Sequence, residues 1–356
     1  MKNVIVAWCK TDYKGFEAQV PLKFIGERNN VLNYGNDVHV LFLSGYNNLS
    51  HFYKNSLKEL GYHLHDVSLL FDELSARYTQ LDRFGDYEKK CFLRWPLIQR
   101  YFEGEKIIHY DGDIVLNESL EKIARIVDGK TFVLQGCPAF TVISDLTWFE
   151  QYNTELDCFV RDIETYSADA WQQREGWEVT FKTRWAGSRF RKIITSDQDF
   201  LSHLMHTGKI KQSTVEEIAY AFKDYAVFQN PLVLHMYDES IPYSYTREKH
   251  VDYFTFKRMD VMNQVFKKRV LLWHMQSGFN FYTSKYILRK KYFKVIPAMR
   301  IPFHMSNTGF EEYFNKKIAR ITHHTSRLAV YNYVFKEHDF SGLMNGKTWW
   351  KAGIFI

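Results

Sequence analysis

Apolar positions along the chain fall into short unbroken runs, and stretches of helical spacing separate them. "NVIVAW" (3–8) and "DVHVLFLS" (37–44) are apolar without strict alternation, the pattern of strands covered on both faces. The segment between them has room for a crossover helix, so the chain is expected to open β-α-β. "LHDVSLLFDEL" predicts a further short strand. "DYEKKCFLRWPLIQRYF" (86–102) predicts a helix in which Pro96 must sit early or cause a kink. "KIIHY" (106–110) and "TFVLQG" (131–136) predict strands. "NESLEKIARIVDG" (117–129) between them predicts a helix with an Asn or Ser cap and a closing Gly. "TSDQDFLSHLMHTG" (195–208) predicts a capped helix ending at Gly208, and "NPLVLHMY" (230–237) a last strand. Residues 168–195 show no clean period and are expected to form a long loop. This alternation predicts an α/β fold, a mostly parallel sheet flanked by helices. Ligands of such sheets collect beyond the carboxyl ends of the strands.

Bulk properties narrow the class. The 356 residues suffice for one large domain or two smaller ones, with 46% hydrophobic and 25% charged residues. Aromatic residues reach 17%; rings stack on flat polar ligands, and they also simply fill cores. Cys9, Cys91, Cys137 and Cys158 form no CxxC pair, which argues against a zinc site and a disulfide framework and for free thiols in a reducing compartment. The first apolar run is too short for a signal-peptide core, and "TFVLQGCPAFTVIS" (131–144) falls short of the roughly 20 residues a membrane span needs. The expected location is cytoplasmic, with peripheral contact to a membrane as an option.

Charge is unevenly placed. Residues 251–356 hold 18 Lys+Arg against 6 Asp+Glu, which leaves 29 against 35 for residues 1–250 out of totals of 47 and 41. A mildly acidic body of residues 1–250 therefore precedes a basic, aromatic section, 251–356, expected to be largely helical. Such asymmetry suits an acidic glycan or an anionic membrane face. The plainer alternative is that Lys and Arg stems only solvate helices. Nothing in the pattern points to nucleic acid.

The candidate chemistry centres on "KIIHYDGDIVLN" (106–117). Asp111 and Asp113 stand one residue apart just past a strand. Two carboxylates so close repel each other unless a cation or hydrogen bonds compensate. Mn²⁺ or Mg²⁺ would do so while leaving positions open for phosphate. Gly112 would let the backbone turn so that both side chains face one way. The competing explanation is an ordinary Asp-Gly hairpin turn. Arg94 lies 17 residues upstream on the expected helix. "SDQD" (196–199) opens another helix, where Ser196 and Asp199 have capping-box spacing and need do no more than cap. "HMYDESIPY" (235–243) offers His235, and "LLWHMQSG" offers His274 as a competing ligand.

The order and context of these motifs resemble the nucleotide-sugar glycosyltransferases of the GT-A fold, family 8 in particular. The resemblance covers residues 1–250 and implies a Rossmann-like sheet. It implies that Asp111, Asp113 and His235 hold Mn²⁺ or Mg²⁺ against the donor diphosphate, with Arg94, Asp111 and Gly112 beside the donor. Asp197 would bind sugar hydroxyls, Gln198 would lie beneath the anomeric carbon and Asp199 would orient the site. "AWCKTD" would put Ala7, Trp8 and Asp12 beside the nucleotide, although core packing serves Trp8 equally well. The third motif departs from the family: Asp238 stands where Gly is usual and Ile241 where a lysine touches the diphosphate, so another basic side chain would have to serve.

The expected activity is transfer of a hexose from a nucleoside-diphosphate sugar, a UDP-sugar by preference, to a glycan or lipid-linked acceptor, with retention. No nucleophile is well placed, which suits a front-face displacement near Gln198. The alternatives are a non-catalytic polyanion- or membrane-binding protein on the same scaffold, and an aspartate-based phosphotransferase.

Overall fold

The computed structural model describes residues 1–9, 22, 26, 29–30, 32–33, 37–49, 51–173, 194–226, 243–248, 251–257 and 265–274. A six-stranded sheet organises most of them. Strands β1 (Lys2–Ala7), β2 (Val38–Phe42), β3 (Tyr62–Asp66), β4 (Ile107–Tyr110), β6 (Phe132–Val133) and β7 (Phe140–Ile143) lie in the order β3-β2-β1-β4-β7-β6. The three pairings from β3 to β4 are parallel, and β7 runs antiparallel to both β4 and β6. The unalternating apolar runs are explained by position: β1, β2 and β4 are interior strands, and Val4, Val40, Leu41, Phe42 and Ile108 are fully buried. Between β1 and β2 the described positions Leu22, Gly26, Asn29, Asn30, Leu32 and Asn33 are helical, as the crossover requires.

Helices α1 (His51–Lys58), α2 (Ser68–Arg77), α3 (Asp86–Tyr101), α4 (Leu120–Ile126), α5 (Thr147–Arg161), α6 (Ile163–Gln172), α7 (Asp197–His206) and α8 (Val215–Ala221) accompany the strands. An aromatic cluster joins α3, α5 and α7. Trp148 stacks on Tyr152 with centroids 5.5 Å apart, and Phe159 lies 5.0 Å from Phe200 and 5.8 Å from Phe92. Each fully buried ring is worth about 2–3 kcal/mol of hydrophobic stabilisation.

Pro96 sits well inside α3, with no helix end near it. A proline there has no N–H for the carbonyl four residues earlier, that of Phe92. The Tyr152 hydroxyl donates to that carbonyl at 3.0 Å, so a side chain from α5 fills the gap the proline leaves.

Several segments differ from the sequence-based expectation. β3 ends at Asp66 and the apolar run after it is helix α2, because its apolar spacing continues over ten residues. In the 131–136 segment only Phe132–Val133 is strand, and a 3₁₀ turn follows. The expected loop begins later than residue 168, since α6 runs to Gln172; residues 174–193 lie outside the described set, as does the strand expected at 230–237.

The section after residue 250 also differs where it is described. β10 (Val251–Lys257) and β11 (Val265–Val270) join β9 (Tyr243–Glu248) and β8 (Tyr225–Ala226) in a sheet of order β8-β11-β10-β9. "VDYFTFK" and "VFKKRV" are rich in β-branched and aromatic residues, which favour a pleated surface over a helix. The chain then returns to the first 250 residues. β12 (Leu272–His274) pairs antiparallel with β5 (Ile114–Leu116). Buried Glu118 fastens the junction: its Oε2 accepts from Tyr225 at 2.9 Å and lies 3.0 Å from Arg269 Nη1. Among the described residues no helix is long and apolar enough to cross a membrane.

Candidate metal and donor site

β1 and β4 are parallel neighbours, so Ala7–Trp8 and Tyr110–Asp111 share one edge of the sheet, the carboxyl end. Past β4 the chain makes a turn closed by Ile114 N–H donating to the Asp111 carbonyl at 3.0 Å. It is not a hairpin turn, because β5 leaves the main sheet and pairs with β12. Asn29 holds the other side of β5: its Nδ2 donates to Ile114 O at 2.8 Å and its Oδ1 accepts from Leu116 N at 2.8 Å. The residue that follows the turn is thus gripped from both sides, which limits where Asp113 can point.

Gly112 serves the turn differently from the expectation. Its φ is not in the left-handed region that seven other described glycines occupy. What the missing side chain gives is room: a Cβ there would stand 3.3 Å from Leu22 Cδ1 and 3.8 Å from Ile5 Cγ2.

His274 is delivered to this turn by the β5–β12 pairing, in which it lies opposite Ile114. One carboxylate oxygen each of Asp111 and Asp113 and one ring nitrogen of His274 lie within 4.8 Å of one another. His274 Nε2 is 3.5 Å from Asp113 Oδ1. Burial disfavours charge on this imidazole, but Asp113 and then Cys137 outweigh it and raise its pKa well above the ordinary histidine range. A metal binds the neutral form of such a ring, so cation and proton compete for this nitrogen.

Arg94, on α3 and nearly buried, connects the turn to the second acidic motif. Its Nη1 donates to Asp111 Oδ1 at 3.3 Å, its Nη2 to Asp197 Oδ2, and its Nε to the Cys91 carbonyl at 3.2 Å. Burial opposes the guanidinium charge, and Asp197 overcomes it. Asp111 is held below the usual carboxylate range: burial opposes ionisation, and His109 and Arg94 outweigh it. His109 was not anticipated. It is fully buried in β4, Nδ1 donating to the Val4 carbonyl at 3.1 Å, with Nε2 3.3 Å from Arg94 Nη1 and 3.4 Å from Asp111 Oδ1. The available signal was one imidazole in the otherwise apolar run "KIIHY".

At the start of α7, Ser196 Oγ accepts from Asp199 N at 3.2 Å, a standard N-cap bond. The Asp199 carboxylate turns back, Oδ2 accepting from Thr195 Oγ1 at 2.9 Å and Thr195 N at 3.3 Å. Asp197 faces Arg94 instead, and Gln198 between them is half-buried. The structure so brings Arg94, Asp111, Asp113 and Asp197 together, adds His274 and His109, and commits Asp199 to its own helix cap.

Ala7 is buried at the end of β1 and Trp8 is partly covered. The Trp8 ring meets Tyr87 edge-on at 5.5 Å, and Lys90 Nζ lies 5.8 Å from it. Asp12 and His235 lie outside the described residues, as do Asp238 and Ile241. All four cysteines are free thiols.

No protein-family model and no curated protein matches the sequence. Among solved structures, the chain aligns with the apo form of mouse xyloside xylosyltransferase 1. The TM-score is 0.32 and the identity 14%, over 59% of this chain and 83% of that one. A likeness so distant says nothing about activity.

Proposed function

We propose that the protein is a divalent-metal-dependent glycosyltransferase that takes a hexose from a nucleoside-diphosphate sugar. The observation that carries the reading is the convergence of Asp111, Asp113 and His274 beyond the carboxyl end of β4, joined through Arg94 to Asp197. Two carboxylates and an imidazole form an O,O,N donor set that fits Mn²⁺ or Mg²⁺. Asp111, Asp113 and His274 would hold such an ion, which would supply positive charge against the donor diphosphate and the leaving group. Arg94 fixes the Asp111 and Asp197 carboxylates. Asp197, buried against Arg94, and the half-buried Gln198 beside it are the groups assigned to the donor sugar, and Trp8 to the nucleotide side. His274 takes the ligand role that the sequence motif offered to His235.

Retention, a UDP-sugar donor and a glycan or lipid-linked acceptor complete the proposal. The domain division at about residue 250, and cytoplasmic work at a membrane surface through the basic section beyond it, belong to it as well. Calorimetry with UDP-sugars, with and without Mn²⁺, tests it. Binding that requires the metal and is lost in Asp113→Ala is the expected result; metal-independent binding, or binding carried by the basic section alone, refutes it.

A further inference from the structure

Away from the acidic turn, one face of the sheet's edge carries a row of groups that share protons. Asp37 immediately precedes β2 and His39 lies within it, while His63 and His65 lie in β3, the edge strand. The register sets His39 beside His63 and Leu41 beside His65, so the three imidazoles project from the same face. The end of α3 lies against them. Phe102 meets the His39 ring edge-on at 5.0 Å, and the Tyr101 hydroxyl is 2.8 Å from His65 Nδ1.

A chain of hydrogen bonds crosses this face. His39 Nε2 is 3.2 Å from Asp37 Oδ2, and His39 Nδ1 is 2.9 Å from His65 Nε2. The ring centroids of that pair are 5.1 Å apart, so the two nitrogens point at each other. Asp37 fixes the proton order, because a carboxylate only accepts. His39 must donate from Nε2, so neutral His39 accepts at Nδ1 from His65 Nε2–H. Neutral His65 then accepts at Nδ1 from the Tyr101 hydroxyl. One extra proton fits if the chain reverses. It enters at His65 Nδ1, which then donates to the Tyr101 oxygen, and the Nε2 proton of His65 passes to His39 Nδ1. A second extra proton sets two N–H groups and two positive charges against each other across 2.9 Å, and the bond between the imidazoles is lost.

We propose that the His39/His65 pair is an acid-operated latch tying the edge of the sheet to the end of α3, closed with up to one added proton and open with two. It is independent of the metal-site reading. The surrounding charges suit it. Lys2 Nζ lies 3.6 Å and His63 Nε2 2.7 Å from the Asp37 carboxylate. Burial opposes ionisation of Asp37, and His39, His63 and Lys2 outweigh it. Burial holds His39 below the ordinary histidine range in spite of Asp37. Burial, followed by repulsion from His39 and His63, does the same for His65. On α3, Arg100 is turned away to Glu73 at 3.1 Å, and burial raises the pKa of Tyr101 and keeps it neutral. A histidine whose folded pKa is depressed stabilises the fold above its unfolded value of about 6.5, and that contribution is lost as pH falls below it. The latch is therefore shut at neutral pH and opens in acid.

Amide exchange of the metal-free protein tests this. Phe102 N–H donates to the Ile98 carbonyl at 2.9 Å, the closing bond of α3, and reports on the helix end that the latch holds. Its protection factor, with the intrinsic pH dependence of exchange divided out, should fall about threefold to tenfold from about pH 7.5 to pH 5, the worth of one hydrogen bond. In His65→Gln an amide donates to His39 Nδ1 and accepts from Tyr101 without titrating, so the fall should shrink to less than about twofold. Tyr101→Phe cuts the chain at α3, and Phe102 protection should then be low at both pH values. Phe102 protection that stays constant in the unchanged protein overturns the proposal, as does an equal fall in His65→Gln. A Tyr101→Phe protein whose protection still falls in acid overturns it too.

Discussion

Two pairs of aspartates in this chain have the same spacing and opposite fates. Asp111 and Asp113 lie on a turn, and Asp197 and Asp199 on the first turn of α7. The turn lets both carboxylates approach one imidazole, that of His274. A helix rotates two residues by roughly 200°, so the second pair must diverge. Asp197 goes to Arg94, and Asp199 to Thr195 in the helix cap. An acidic pair read from sequence is thus a site only where the backbone between its members lets the side chains converge.

Arg94 links the two pairs, and its removal should have the largest effect. It is nearly buried and faces Asp111 and Asp197 together. Arg94→Ala leaves the buried Asp197 carboxylate uncompensated, at a cost of about 3–5 kcal/mol, with a smaller loss at the partly exposed Asp111. Denaturant unfolding should show that loss, and Asp197→Asn in the same chain should recover part of it. A loss under about 1 kcal/mol would mean the pairs are not coupled through this residue.

Removing a ligand from the turn should act on metal rather than on stability. Asp113→Ala is expected to weaken Mn²⁺ binding by on the order of 100-fold, at least the upper end of what losing an outer partner costs. Unfolding should change less than with Arg94→Ala, because relief of the repulsion between the two carboxylates offsets the lost attraction of Asp113 to His274. Retained Mn²⁺ affinity would remove the distinction drawn between the two acidic pairs.

Which of these features could be read from the residues follows from how local their causes are. The interior strands announce themselves because both faces of β1, β2 and β4 are covered, so their runs are apolar without alternation apart from His39 and His109. The α7 cap was legible because Ser196 and Asp199 interact across three residues. His274 was visible only as one of two candidate histidines. Its place beside Asp113 depends on β5 pairing with β12, about 160 residues apart in sequence, and no local pattern encodes that partnership. The strands after residue 250 were read as helix because interleaved basic and aromatic residues suit an amphipathic helix as well as a half-covered strand. Pro96 shows the same limit: its place inside α3 depends on a tyrosine from another helix.

In the helix pair, Asp199→Ala should affect only stability. The substitution removes the bonds from Thr195 Oγ1 and N, and a lost helix-start interaction costs about 1 kcal/mol. Mn²⁺ affinity should stay within about twofold. Loss of donor turnover at full stability would instead give Asp199 a part in the chemistry and weaken the contrast with Asp197.

Gly112→Ala should have the smallest effect, and it tests the turn itself. If the acidic turn needed a left-handed residue between its aspartates, an added Cβ would cost about 1–2 kcal/mol and swing the carboxylates apart. The observed φ is not left-handed. The added carbon would meet Leu22 Cδ1 at 3.3 Å, the far end of a flexible side chain that can shift by a few tenths of an ångström. Alanine also narrows the unfolded ensemble, which favours the folded state by a few tenths of a kcal/mol or more and opposes the crowding. The two effects nearly cancel, so stability should move by less than about 0.5 kcal/mol and Mn²⁺ affinity by less than about threefold. A larger loss of metal binding at unchanged stability would mean that closeness to Leu22 sets the aim of both aspartates, and that the turn depends on the crossover segment as much as on the pairing of β5 with β12.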